Sequence, residues 1–215
     1  LQTGKVPGTV WLLLIMAGLA ALMDAWEGWQ RNRHAGDALK AAVRIAWLPV
    51  LIAGVAVWAA PRQLPLLAQA ALTVAIVTAF GPLVYRLAYQ SLADATSLVL
   101  LIVSVGVHFA LTGLGLLFFG AEGFRNPPFW DDRFAMGPLN IAGQAIIIGA
   151  TTVALIVMLW LFFERTLYGK ALRATAVNRL GARLMGISTQ GAGQLTLAMA
   201  ALIGALSGLL IGPTT

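Results

Sequence analysis

Residues Ile141 to Phe163 run through the chain without one charged side chain. A run of that length spans a bilayer core, which takes about 20 predominantly apolar residues in a helix. Five further apolar runs flank it, at Val6–Met23, Ile45–Ala60, Leu64–Tyr85, Ser97–Phe119 and Leu195–Ile211. No water is available in hydrocarbon to satisfy a peptide group, so such runs become helices, each bonded within itself. The expected fold class is therefore all-α: a polytopic transmembrane helix bundle of about six spans, in one domain covering residues 1–215. Trp11 lies near the start of the first span, and Trp47 and Trp58 flank the short second one as interface anchors. The first two spans also fit a re-entrant pair. Gly81-Pro82 predicts a bend or an end in the third.

Composition agrees. Hydrophobic residues make up 60% of the chain and charged ones 10%, with a mean hydropathy of +0.86. A soluble domain carries about 25% charged residues. The net charge of +6 does not call for nucleic acid, because the basic residues cluster between apolar runs. That placement reads as membrane topology and contact with anionic lipid. With no cysteine, the chain has no disulfide and no thiolate metal site. It begins with Leu and stops on the apolar "LLIGPTT", so both ends are expected to be cut from a longer chain.

Positive charge orients the spans. Arg31, Arg33, Lys40, Arg44, Arg86, Arg165, Lys170, Arg173, Arg179 and Arg183 fall on one side, and Lys5, Arg62, Arg125 and Arg133 on the other. The ten belong in the cytoplasm by the positive-inside rule. Residues 24–44 are then a cytoplasmic loop, which also reads as an inserted segment, with Trp26, Glu27, Trp29, Arg31, Arg33 and His34 forming an interfacial aromatic and basic patch. Residues 120–140 become a periplasmic loop. Its "AEGFRNPPFWDDRFAMGPLN" suits a turn or small hairpin, with Asp131, Asp132 and Arg133 in a solvated turn.

The longest basic loop, residues 164–190, contains "RTLYGKALRATAVNRLGARLMGIS" and no acid after Glu164. Lys170 and Arg173 sit three apart on one helical face. A second, short helix is predicted to start at an Asn178 cap and to close at Gly186. Leu180, Leu184 and Met185 give it an apolar stripe, and Gly181 and Ala182 keep it slim. Such a helix fits two roles: lying on anionic lipid, or docking in a groove of a soluble partner. Spacing alone leaves both open.

Chemistry is sparse. Gly4-Lys5 and Gly169-Lys170 lack the upstream glycine of a phosphate-binding loop. Ser207-Gly208 lies in "GALSG", which is not a nucleophile elbow. Catalytic residues and a metal site are not expected. His108, mid-span, with Gly106 and Thr112, is a candidate for a translocation path. Its alternative is a neutral His bonded to a carbonyl or hydroxyl of a neighbouring helix. Gly106 and Gly113 are expected at close helix contacts, as are Gly204 and Gly208, which form G-x-x-x-G.

The basic loop resembles that of branched-chain amino acid ABC transporter permeases. Arg165, Thr166, Gly169, Lys170, Ala171, Leu172, Arg173, Ala174, Ala182, Gly186 and Ile187 match the family's pattern. "YRLAYQSLADATSLVLLIVSVGVHFAL" is similar to its Tyr-Arg-Pro-Leu stretch and following span, with Gln90-Ser91 where Arg-Pro is expected. "GPLNIAGQAIII" resembles its outer hairpin. The resemblance covers Tyr85–Pro213; residues 24–62 depart from it, and the family's N-terminal motif and last helices are absent. It implies a multi-pass permease subunit of the bacterial inner membrane, moving branched-chain amino acids or a related small polar solute. It also implies a second permease subunit, identical or different, and a periplasmic substrate-binding protein. Two ABC ATPase subunits would hold the ATP and Mg, so the chain itself would need no cofactor and be no enzyme. The short helix would be the coupling helix, with Arg173, Ala174, Asn178, Arg179, Gly181, Ala182, Leu184 and Gly186 at the ATPase. The competing readings are a secondary transporter or channel with no ATPase partner, and a membrane enzyme or scaffold.

Overall fold

A computed structural model of the chain describes residues 7–32, 35–62, 64–120, 128–130, 132–136 and 139–213. The elements in order are α1 (Gly8–Asn32), α2 (Ala35–Ala59), α3 (Leu66–Val84), α4 (Ser97–Phe119), β1 (Arg133–Met136), β2 (Leu139–Ala142), α5 (Gly143–Arg165), α6 (Leu167–Val177), α7 (Arg179–Leu184) and α8 (Thr189–Ile211). A π-helical turn, Tyr85–Tyr89, and a 3-10 turn, Gln90–Leu92, extend α3. Five helices are long and apolar enough to cross a membrane: Gly8–Gln30, Leu66–Leu92, Ser97–Phe119, Gly143–Arg165 and Thr189–Ile211; Ile45–Ala59 is a shorter apolar helix. The protein is an all-α polytopic membrane protein. β1 and β2 pair antiparallel, Arg133 opposite Ala142, and supply the small hairpin expected before α5.

The chain divides into two compact units. The first holds α1–α4 and the α8 residues Leu197–Leu202. Its core is one face of α1, where Val10, Leu13, Ala17 and Ala20 are almost wholly buried. Spacings of three and four keep them on one stripe. Against it pack Ala53 and Ala56 of α2 and Ile76, Ala79 and Leu83 of α3. The alanines let the helices approach closely, which matters where lipid offers no hydrophobic push. The second unit holds the hairpin, α5, α6, α7 and the remainder of α8.

Two expectations change. Residues 24–44, read as a loop, are helical wherever they are described: Asp24–Asn32 prolongs α1 and Ala35–Arg44 prolongs α2. Alanine, leucine and long polar side chains are good helix formers, and charge marks only where the helix leaves hydrocarbon. His34 and Arg33 lie outside the described residues. Of the bend or end expected at Gly81-Pro82, the end does not occur. Proline removes one N–H and crowds the preceding turn. The helix continues to Val84 and then widens, with the Gln90 amide donating to the Tyr85 carbonyl five residues back.

Gly81 serves close packing. A Cβ there would stand 2.4 Å from the Leu197 carbonyl oxygen and 2.7 Å from the Ala198 Cα. Backbone cannot swing aside as a side chain can, so Gly81→Ala is expected to cost about 1–3 kcal/mol through overpacking. Gly204→Ala, with nothing within 4 Å of its would-be Cβ, is the matched control. Thermal unfolding in detergent, followed by tryptophan fluorescence, checks the difference.

Candidate functional site

The basic loop becomes a chain of caps. α5 ends at Arg165, and Thr166 takes an extended conformation between α5 and α6. The Thr166 hydroxyl donates to the Phe162 carbonyl at 2.6 Å and accepts from the Gly169 amide at 3.0 Å. One side chain thus closes α5 and opens α6. A Cβ at Gly169 would fall 2.6 Å from the Phe163 Cα, and closer still to the Phe162 carbonyl oxygen. The two helices therefore touch backbone to backbone, and only glycine fits. Arg173 pins the corner from the next turn of α6. Its Nη1 donates to Glu164 Oε1 at 2.8 Å and its Nη2 to the Phe163 carbonyl at 2.5 Å.

Asn178 repeats the device. Its amide donates to the Ala174 carbonyl, ending α6, while its Oδ1 accepts from the Gly181 amide at 2.9 Å, starting α7. α7 closes as predicted at Gly186, whose φ of 80° suits glycine. The Gly186 amide bonds the Arg183 carbonyl and the Ile187 amide bonds the Ala182 carbonyl, which is the Schellman pattern. Arg183 Nε then donates to the buried Thr189 hydroxyl at 3.0 Å, and Ser188 caps α8. Satisfied termini on every side fix the position of α7 against its neighbours.

α7 presents an apolar stripe between its exposed arginines, Arg179 and Arg183. Ala182 is buried, but Leu184 and Met185 are each 81% exposed and Leu180 70%. Tyr168, Leu167 and Val177 of α6 are exposed beside them in sequence. The predicted site residues therefore divide. Leu184, Arg179 and Ala174 lie on the open surface. Asn178, Gly181, Ala182 and Gly186 shape the helix, and Arg173 anchors the corner. Gly186→Ala is expected to lower stability by about 1 kcal/mol through its left-handed φ, measurable in the same unfolding assay.

The α4 candidates are not drawn into any polar site. His108 is exposed and meets Phe109 edge-on with ring centroids 5.7 Å apart, and the Thr112 hydroxyl bonds the His108 carbonyl in its own helix. Gly106, Gly113, Gly204 and Gly208 have open space where a Cβ would stand.

Sequence reasoning missed an ion cluster around a buried arginine at the end of α3. Arg86, in the π turn, is only 4% exposed; its Nη2 bonds Glu27 Oε2 at 2.7 Å and pairs with Asp24 Oδ1, both on α1. Asp24 and Glu27 are three apart on one helical face, the spacing that could have suggested a shared cation. Tyr89 Oη also reaches Ser104 Oγ of α4 at 3.0 Å. The Glu27 carboxylate is 58% exposed and that of Asp24 19%, so water compensates part of the loss when Arg86 is removed. Arg86→Met is expected to destabilise by about 1–2 kcal/mol, between an exposed and a buried pair, and adding Asp24→Asn with Glu27→Gln should restore most of it. Unfolding temperatures of the single and triple variants decide this.

A second buried polar group stands at the other end of α5. Gln144, 4% exposed, accepts from the Phe129 amide at 3.0 Å and donates to the Leu210 carbonyl of α8 at 2.9 Å.

The family model described as the branched-chain amino acid transport system permease component matches residues 4–215. This chain belongs to that family. The match runs through residues 24–62, where the sequence had seemed to depart. Curated relatives include the high-affinity branched-chain amino acid transport system permease protein BraD of Pseudomonas aeruginosa, 27% identical over 69% of this chain and 50% of its own length. The corresponding permease LivH of Escherichia coli K12 is 27% identical over 65% of this chain and 47% of its own, and that of Salmonella typhimurium LT2 is 26% identical over 64% and 46%. The chain spans about half the length of the curated relatives it matches. No solved structure matches it.

Proposed function

We propose that this family member is a membrane-spanning permease subunit of an ABC importer in the bacterial inner membrane. It moves branched-chain amino acids or a related small polar solute, and ATP is hydrolysed in separate subunits. The observation that carries the reading is α7: a helix of six residues, capped at both ends, with Leu180, Leu184 and Met185 held out in the open. A rigid apolar knob between basic flanks suits a groove on a soluble partner. The positive-inside rule puts it on the cytoplasmic side, where ATPase subunits would stand. A second permease subunit and a periplasmic binding protein complete the assembly proposed here.

Coupling then works by geometry. ATP-driven closure of the ATPases displaces α7, and the capped corner passes the displacement to α5 and α8. Inverting two helix packings from 1:99 to 99:1 takes about 5.5 kcal/mol of differential binding.

Leu184→Asp is expected to abolish uptake and ATPase association while membrane insertion stays normal. Leu184→Cys is expected to cross-link to an ATPase subunit in native membranes, with a yield changed by ATP. Normal uptake by the first variant, or labelling of the second only by lipid-phase reagents, would sink the coupling role and favour a transporter without an ATPase.

A further inference from the structure

The two sides of the α1–α2 hairpin ask for different membrane thicknesses. On α1 the exposed large apolar side chains are Trp11, Ile15, Leu19, Leu22, Trp26 and Trp29. Their steps of three and four make one stripe along the helix. A tryptophan stands at each end, eighteen residues or about 27 Å apart. That suits a hydrocarbon core of about 30 Å with an indole at each interface. The outward side of α2 is shorter. Trp47, Leu51, Val55 and Trp58 are exposed, again in steps of three and four. Here the tryptophans are only eleven residues apart, about 16 Å. The whole apolar helix, Ile45–Ala59, reaches about 22 Å.

Charge marks both ends of that short stripe. The Arg62 guanidinium lies 3.6 Å from the centre of the Trp58 ring, and a guanidinium belongs among headgroups rather than in hydrocarbon. Ahead of Trp47 come Lys40 and Arg44, at steps of four and three that put all three residues on one face, with Asp37 a turn earlier. The mismatch sits at one end of the hairpin. Trp11 is three residues from the start of α1 and Trp58 one residue from the end of α2, so the outer boundaries agree. Trp29 is three residues from the end of α1, but Trp47 is twelve from the start of α2, a difference of nine residues or about 13 Å. Sliding cannot correct this, because Ala53 and Ala56 pack against Val10, Leu13 and Ala17 of α1 and fix the register.

A helix shorter than the core is met by a thinner bilayer, by snorkelling of its flanking side chains, or by a protein neighbour. Snorkelling of Lys40 and Arg44 would leave Trp47 well below the interface, with its indole N–H in hydrocarbon. A protein neighbour over this face does not call for an indole at each end, whereas lipid does, as on α1. We propose that α2 holds a notch in the leaflet on the side that the positive-inside rule assigns to the cytoplasm. Phospholipid headgroups descend to Trp47 beside α2, their phosphates meeting Lys40 and Arg44, and stay level with Trp29 beside α1. The partner of this surface is the phospholipid headgroup itself.

The chain contains no cysteine, so Trp47→Cys and Leu19→Cys each supply a single thiol within it. Leu19 is thirteen residues from the end of α1, level with Trp47 across the hairpin, and it is exposed on the α1 side. In the full-length protein, with cysteines elsewhere removed, a bimane fluorophore is attached at either thiol. The protein is then placed in phosphatidylcholine vesicles in which some lipids carry a nitroxide, on the headgroup or near the middle of an acyl chain. Bimane in the Trp47→Cys variant is expected to be quenched several-fold more by the headgroup nitroxide, and in the Leu19→Cys variant by the mid-chain one. Equal depths in the two variants, or mid-chain quenching for Trp47→Cys, would mean a flat leaflet and overturn the proposal. No quenching of Trp47→Cys by either lipid would overturn it too, by showing that protein covers the face. The native indole gives an independent reading: with Trp47 kept as the sole tryptophan, its fluorescence should show the same preference for the headgroup nitroxide, and the opposite preference would again exclude the notch.

Discussion

A peptide group carried into hydrocarbon must find its hydrogen-bond partner within the protein, and the organisation of this chain follows from that rule. It makes each apolar run a helix bonded along its length. It also makes the ends of those helices the points of greatest risk, since four amides and four carbonyls at each helix go unpaired. From α5 to α8 the chain meets that risk with capping side chains and one glycine turn placed one after another. Thr166, Asn178, Gly186 and Ser188 each close or open a helix, and Arg173 covers a carbonyl that α5 leaves behind. The result is a turn outside the apolar helices that is as regular as the helices themselves, and its one apolar surface is left for something else to cover.

Much of this could be read in the residues. The apolar runs locate each long helix, and for α4 and α5 they give the bounds within two residues; elsewhere the helices run six to ten residues past the apolar run, because charge does not stop a helix. Asn178 and Gly186 announce α7, since few residue types serve as an N-cap or adopt a positive φ. What stayed hidden was tertiary. Gly81 reads as a helix breaker beside proline, and nothing local says that the Leu197 backbone lies against it. Arg86 reads as a topology signal, because its partners stand far up the chain on another helix. Residues 24–44 read as a loop because they carry charge, yet charge says where a helix meets water, not whether it stops.

The α4 face was illegible for a deeper reason. In a soluble protein the apolar stripe of a helix marks its buried side. α4 is apolar almost all round, so its sequence carries no such stripe, and nothing in it says whether His108 meets a path or a neighbouring helix. In α3 the informative residues were the polar ones, since each needs a reason to be there.

The ion cluster has a consequence for how the protein is made. Glu27 lies 59 residues ahead of Arg86 in the chain. At about 5–20 residues per second, synthesis delivers α1 and its carboxylates some 3–12 seconds before their cation. During that interval Asp24 and Glu27 have no Arg86 to pair with, so this link between α1 and the end of α3 forms only once α3 has been made.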